Sequence, residues 1–259
     1  MTDHRTAASW THLLAGGPDS SKTLVCLHHA GGTAAAFRSW ARYLAPDTEM
    51  LAVQLPGRSE RFQEPALDRM QPVVDGVMEH VVPLLDRPFA LFGMSMGARV
   101  GLAVAQALHQ AGLHRPEMLI VGASPAPVLR TAVPGWNQND AELTAYLVGT
   151  GGVPPEVAAA PEVMELMLPT VRADLTAVAT WPHQGDRLLD RPIAALAGRQ
   201  DPYAAPSLMQ GWATETSADF SLTEFDGGHF FVEPNLPAVV STINTLLSAV
   251  DRHQEGSIP

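Results

Sequence analysis

The chain has 259 residues, 46% of them apolar and 17% charged, with a formal net charge of −11. Too much apolar side chain is present for a disordered polymer, and too little clustered Lys and Arg for a nucleic-acid surface, so both classes are excluded. The one cysteine, Cys26, rules out an internal disulfide framework and fits a reducing cytoplasm. The length suits one domain over 1–259. The start, Met1 to Ser9, is polar without the charged-then-apolar order of a secretion signal, and no apolar run is long enough to span a bilayer, so no membrane association is expected.

In chain order, the first apolar run is Thr23 to His28, with Cys26 in its middle; it predicts a buried strand running into His29-Ala30-Gly31-Gly32. A helical pattern over Ala35 to Leu44 follows, then a strand over Met50 to Leu55 and a helix over Pro72 to Leu85. Phe89 to Phe92 predicts the next strand and Ala98 to Ala111 the next helix, which Gly112 is placed to end. Met118 to Val121 is a further strand. From Pro125 to about Trp181 no strand pattern occurs, but Asn139 with Glu142 three residues on reads as a capping box, and Pro161 opens a helical run to Ala179. Strands return at Ile193 to Ala197 and Phe220 to Phe225, and Leu236 to Val250 closes as a helix. Alternation of this kind predicts an α/β fold, a mostly parallel central sheet flanked by helices on both faces. The stretch 125–181 is then a helical insertion, a candidate lid over a site at the carboxyl edge of the sheet.

Chemistry concentrates at three places. Gly93-Met94-Ser95-Met96-Gly97 has the form G-x-S-x-G and joins a predicted strand to a predicted helix, which is the context of a nucleophile elbow and of the α/β-hydrolase fold. Ser95 is the candidate nucleophile. A serine hydroxyl needs a base, and in this fold the acid and then the histidine follow the serine in the chain. His229, in the loop Asp226-Gly227-Gly228-His229 after the last strand, is the candidate base; His183 falls in the candidate lid, and His80, His109 and His114 on or beside covering helices. Asp201, just past the strand Ile193 to Ala197, is the favoured acid, with Asp226 as its rival. An oxyanion needs two backbone donors. Met96 N–H supplies one, and Ala30 N–H is the preferred second, with Gly31 the alternative.

With these pieces in place, the chain resembles the type II thioesterases that accompany polyketide synthases and non-ribosomal peptide synthetases. The resemblance covers nearly the whole length. It rests on Leu27-His28-His29-Ala30-Gly31-Gly32 with Phe37 and Trp40, on Val53-Gln54-Leu55-Pro56-Gly57-Arg58 with Arg61, and on the elbow. It continues through Gly151 to Glu156, Leu168-Pro169 with Arg172-Ala173-Asp174, and Gly227-Gly228-His229-Phe230-Phe231. It implies the triad Ser95, Asp201 and His229, substrate contacts at His29, Met94 and Phe230, a mobile lid, and no metal or cofactor. It also implies a carrier-protein partner whose phosphopantetheine arm bears stalled or aberrant acyl groups, and a monomeric enzyme.

In one respect the chain departs from the family: the elbow usually has histidine before the serine, where this chain has Met94, which suggests a preference for apolar acyl chains. A Met94→His variant with unchanged selectivity would refute that idea. Carrier domains are commonly acidic, so docking on this acidic chain calls for a local arginine patch, and Arg38, Arg42, Arg58 and Arg61 are the candidates by position. The competing functions are an oxygen-ester esterase or acyl-CoA thioesterase on the same scaffold and, more remotely, a binding protein that keeps the fold without the chemistry.

Overall fold

The computed structural model describes residues 9–183 and 188–255. Seven strands form one sheet: β1 (Thr11–Ala15), β2 (Lys22–Leu27), β3 (Thr48–Val53), β4 (Phe89–Met94), β5 (Leu119–Gly122), β6 (Ile193–Gly198) and β7 (Phe220–Phe225). Their order across the sheet is β1-β3-β2-β4-β5-β6-β7. Every pairing is parallel except β1 with β3. The expected mostly parallel sheet is therefore present, with an antiparallel edge strand that the sequence patterning did not reveal.

The interior strands β2, β4, β5 and β6 are buried at every position, as strands covered on both faces must be. Helices α1 (Met70–His80) and α2 (Met96–Gln110) cover one face. They share a core with Leu27, Leu91, Val121 and Trp212. The other face is covered by α7 (Leu236–Glu255) and by residues Ala34–Arg42. Phe37, Trp40, Phe92, Phe231 and Ile243 meet there. The segment Ala34–Arg42 is a 3-10 helix rather than the α-helix its spacing suggested.

Between β5 and β6 lies the helical excursion, with α3 (Asp140–Thr150), α4 (Pro155–Ala158) and α5 (Pro161–Ala179). The Asn139 side chain accepts the Glu142 amide while the Glu142 carboxylate accepts the Asn139 amide, so the capping box is formed from both sides. A small apolar core of its own, including Leu143, Leu147, Leu168 and Leu175, holds the excursion together. A short helix α6 (Pro206–Met209) follows β6.

The carboxyl ends of β2, β4, β6 and β7 deliver to one sheet edge the four loops that carry the residues singled out above. Among the described residues, no helix is long and apolar enough to cross a membrane.

Candidate active site

Ser95 occupies the turn between β4 and α2 with φ 54° and ψ −112°, a conformation that a non-glycine residue keeps only when its surroundings impose it. Both neighbouring glycines are required for so tight a turn. A Cβ on Gly93 would lie 2.1 Å from the Gly97 carbonyl oxygen, and one on Gly97 would lie 2.1 Å from the Leu27 carbonyl oxygen. The Ser95 amide donates to the Gly122 carbonyl at 2.7 Å, which ties the elbow to β5.

His229 comes from the loop after β7. Its Nε2 stands 3.1 Å from Ser95 Oγ and its Nδ1 stands 2.9 Å from Asp201 Oδ2. The second Asp201 oxygen accepts the Tyr203 amide at 2.9 Å, so the carboxylate is fixed from both sides. Burial raises the Asp201 carboxyl, but the His229 hydrogen bond and charge, with the Tyr203 and Ala204 amides, outweigh it and hold it below the ordinary carboxylate value. An ionised Asp201 can only accept, so the imidazole proton sits on Nδ1 and Nε2 is left with its lone pair toward Ser95. Asp226, the rival acid, is paired instead with Arg199 at 2.7 Å and is largely exposed.

The loop after β2 distinguishes the two oxyanion candidates. The Gly31 amide donates to Asp174 Oδ2 at 2.7 Å and is thereby committed. Among the described residues, no acceptor takes the amides of Ala30 or Met96. Met96 opens α2, where unpaired N–H groups and the helix dipole favour negative charge.

Asp174, on α5, is 1% exposed and also receives two bonds from Arg58, at 2.6 and 2.7 Å. Arg58 further donates to the Gly32 carbonyl. This corrects the expectation that Arg58 and Arg61 are available to a partner. Arg58 is locked in that buried pair, and Arg61 is buried against Glu64, the Gln54 carbonyl and the Trp10 ring. Arg38 and Arg42 remain exposed.

Cavities flank the elbow, and two of them are lined by the residues singled out above. The one that opens on Ser95 and His229 has a volume of about 50 Å³, and Arg99, Tyr146, Leu175 and Tyr203 are among its walls. Sequence reasoning missed Arg99 and the two tyrosines. Arg99 was within reach of such reasoning, because it follows Ser95 by one helical turn; the tyrosines come from distant segments and meet only in the fold, with ring centroids 5.3 Å apart. The second cavity, about 300 Å³, gathers all three expected substrate contacts, His29, Met94 and Phe230, beside Phe37, Trp40 and Leu236. Its walls do not include Ser95 or His229. The Phe230 ring stands edge-on to both His29 and His229, with centroids 4.9 and 5.3 Å away. His29 is held neutral: burial, with repulsion from His28 and His229, lowers its pKa to about 3. Among the described residues, no group of side chains could hold a metal ion.

Comparison with known proteins bears on what this arrangement belongs to. Residues 22–247 match the thioesterase domain family. Thioesterase PikA5 of Streptomyces venezuelae is 33% identical over 236 residues, covering 91% of this chain and 84% of its own. The type II thioesterase BorB from the borrelidin biosynthetic cluster superimposes with a TM-score of 0.82 at 33% identity, over 90% of this chain and 96% of BorB. RedJ, the thioesterase from the prodiginine pathway of Streptomyces coelicolor, gives 0.81 at 32% identity, over 93% and 95%. The expected α/β-hydrolase fold is thus the fold of its structural neighbours. The chain belongs to the thioesterase domain family and is a hydrolase of thioesters.

Proposed function

We propose that the chain is an editing thioesterase that removes acyl groups from the phosphopantetheine arm of acyl or peptidyl carrier proteins, with Ser95, His229 and Asp201 as its triad. The observation that carries this reading is the continuous hydrogen-bonded chain from Ser95 Oγ through the imidazole to a buried carboxylate. Ser95 Oγ attacks the thioester carbonyl as His229 Nε2 takes its proton, and the developing oxyanion is received by the Ala30 and Met96 amides. Collapse of the tetrahedral species breaks the C–S bond, and the imidazolium protonates the departing pantetheine thiolate. Water then attacks acyl-Ser95 with His229 again as base, which releases the carboxylic acid and restores the hydroxyl. The excursion 125–181 serves as the lid over this site within a single domain, a reading supported by Leu175 and Tyr146, which it contributes to the walls of the nucleophile's cavity. Its mooring through Asp174 and Arg58 makes the lid and the oxyanion loop one mechanical unit.

The carrier and the editing role are supported by the company this family keeps: relatives are named for borrelidin, prodiginine and yersiniabactin pathways. The test is hydrolysis of butyryl-pantetheine and of butyryl groups loaded on a carrier protein. The intact enzyme is expected to release butyrate from both and to be labelled by a fluorophosphonate, and Ser95→Ala is expected to lose turnover and labelling together. Full activity of Ser95→Ala would overturn the assignment.

A further inference from the structure

Three arginines are buried among the described residues, Arg58, Arg61 and Arg99. The first two are held by carboxylates. Arg99 is not. Among the described residues its one hydrogen bond runs from Nη2 to the Pro125 carbonyl at 3.5 Å, the outer limit for such a bond. Glu215 is the anion that acts on it through space, but that carboxylate already accepts the Val128 amide and stands 3.0 Å from the His183 ring. Burial lowers the Arg99 pKa to about 10, so the group stays charged at neutral pH. A guanidinium presents five N–H donors in a rigid fork, and among the described residues most of this fork has no protein partner.

An apolar side chain of similar volume would line this wall without the cost of desolvating a charge that no carboxylate among the described residues directly pairs. The position of the charge says what it could serve. Arg99 lies in the first turn of α2, four residues after the elbow residue Ser95 that caps this helix, and both residues line the small cavity that opens on the nucleophile. A short acyl group attached to Ser95 would enter the cavity that Arg99 also lines.

Resting on the acyl-Ser95 mechanism above, we infer that Arg99 recognises an oxygen acceptor on the acyl group, so that short oxygenated acyl thioesters are preferred over hydrocarbon ones of the same size. A terminal carboxylate and a keto oxygen offer the same acceptor chemistry to the fork, and the experiment separates them. Malonyl-, 3-oxobutyryl- and butyryl-pantetheine carry, in turn, an anionic acceptor, a neutral acceptor and none.

The ratio of kcat/KM for each oxygenated substrate over butyryl is measured in the intact enzyme and in Arg99→Met. The intact enzyme is expected to favour malonyl or 3-oxobutyryl by at least about tenfold, and Arg99→Met to abolish that advantage, with the favoured member identifying the acceptor. Arg99→Lys, which keeps the charge but not the fork, is expected to fall between. The intact enzyme's preference needs no variant, so a poorly folding Arg99→Met leaves the inference open to refutation. A butyryl preference in the intact enzyme, or an equal loss on all three substrates in Arg99→Met, as expected if the fork held the pantetheine arm, would overturn it. Absence of hydrolysis of any of the three by the intact enzyme would instead overturn the function proposed above.

Discussion

At the scale of single residues, Asp201 is the group whose role can be isolated most cleanly. Replacing it by asparagine keeps the shape but offers an amide that can donate to Nδ1, which favours the imidazole tautomer with its proton on the wrong nitrogen. In serine triads this change lowers turnover by about 10⁴-fold. Asp201→Asn is therefore expected to lose turnover on butyryl-pantetheine by that order while melting near the unaltered protein, whereas Asp226→Asn loses about twofold or less. A larger effect at Asp226 would exchange their roles. The proposed triad Ser95, His229 and Asp201 could be picked out because each is marked by its neighbours in sequence: two obligatory glycines, a Gly-Gly turn after a strand, and a strand end. Arg58 was misjudged for the opposite reason, since its partner Asp174 is 116 residues away and no local pattern announces it.

At the scale of elements, patterning succeeded where a segment is buried on both faces or capped locally. β4, β6 and α5 fall where apolar runs and Pro161 put them. β1 was missed because Thr11–Ala15 is short and only partly buried, an edge strand with no clear alternation. α5 draws attention for a different reason. Its Asp174 reaches into the loop after β2, and the Thr170 hydroxyl on the same helix donates to the Gly57 carbonyl at 2.8 Å. Removing one partner of a buried ion pair leaves the other charge stranded, at a cost of about 3–5 kcal/mol. Asp174→Ala should lose stability of that order in urea unfolding and should also lower kcat, because the Gly31 amide is released. Arg172→Ala, two residues away, breaks an exposed pair with Asp140, for which about 0–1 kcal/mol is expected. If the two variants unfold at the same urea concentration, α5 is not moored through Asp174.

For the whole molecule, acid sensitivity follows from two adjacent imidazoles, His28 buried and His29 half-buried. Burial is the main cause that lowers both His28 and His29 from 6.5 to about 3, with repulsion from Arg58 added for His28. A histidine whose folded pKa is depressed favours the unfolded state once the unfolded chain begins to protonate. Stability is therefore intact above the unfolded value and falls as the pH drops from about 6.5 toward 3. At pH 5 the His28 imidazole should remove about 2 kcal/mol and the more exposed His29 less, a large share of the 5–15 kcal/mol typical of a domain. Asp201, with its lowered folded pKa, holds its contribution above the ordinary carboxylate range and loses it only at more acid pH, so it does not act in this window. His28 is the better probe because its Nδ1 donates to the His29 carbonyl at 2.8 Å and an asparagine amide can still donate there without titrating. His28→Asn is expected to shrink the fall in urea midpoint between pH 7.5 and 5.0 by half or more. A fall of the same size in both proteins would place the acid sensitivity elsewhere in this chain.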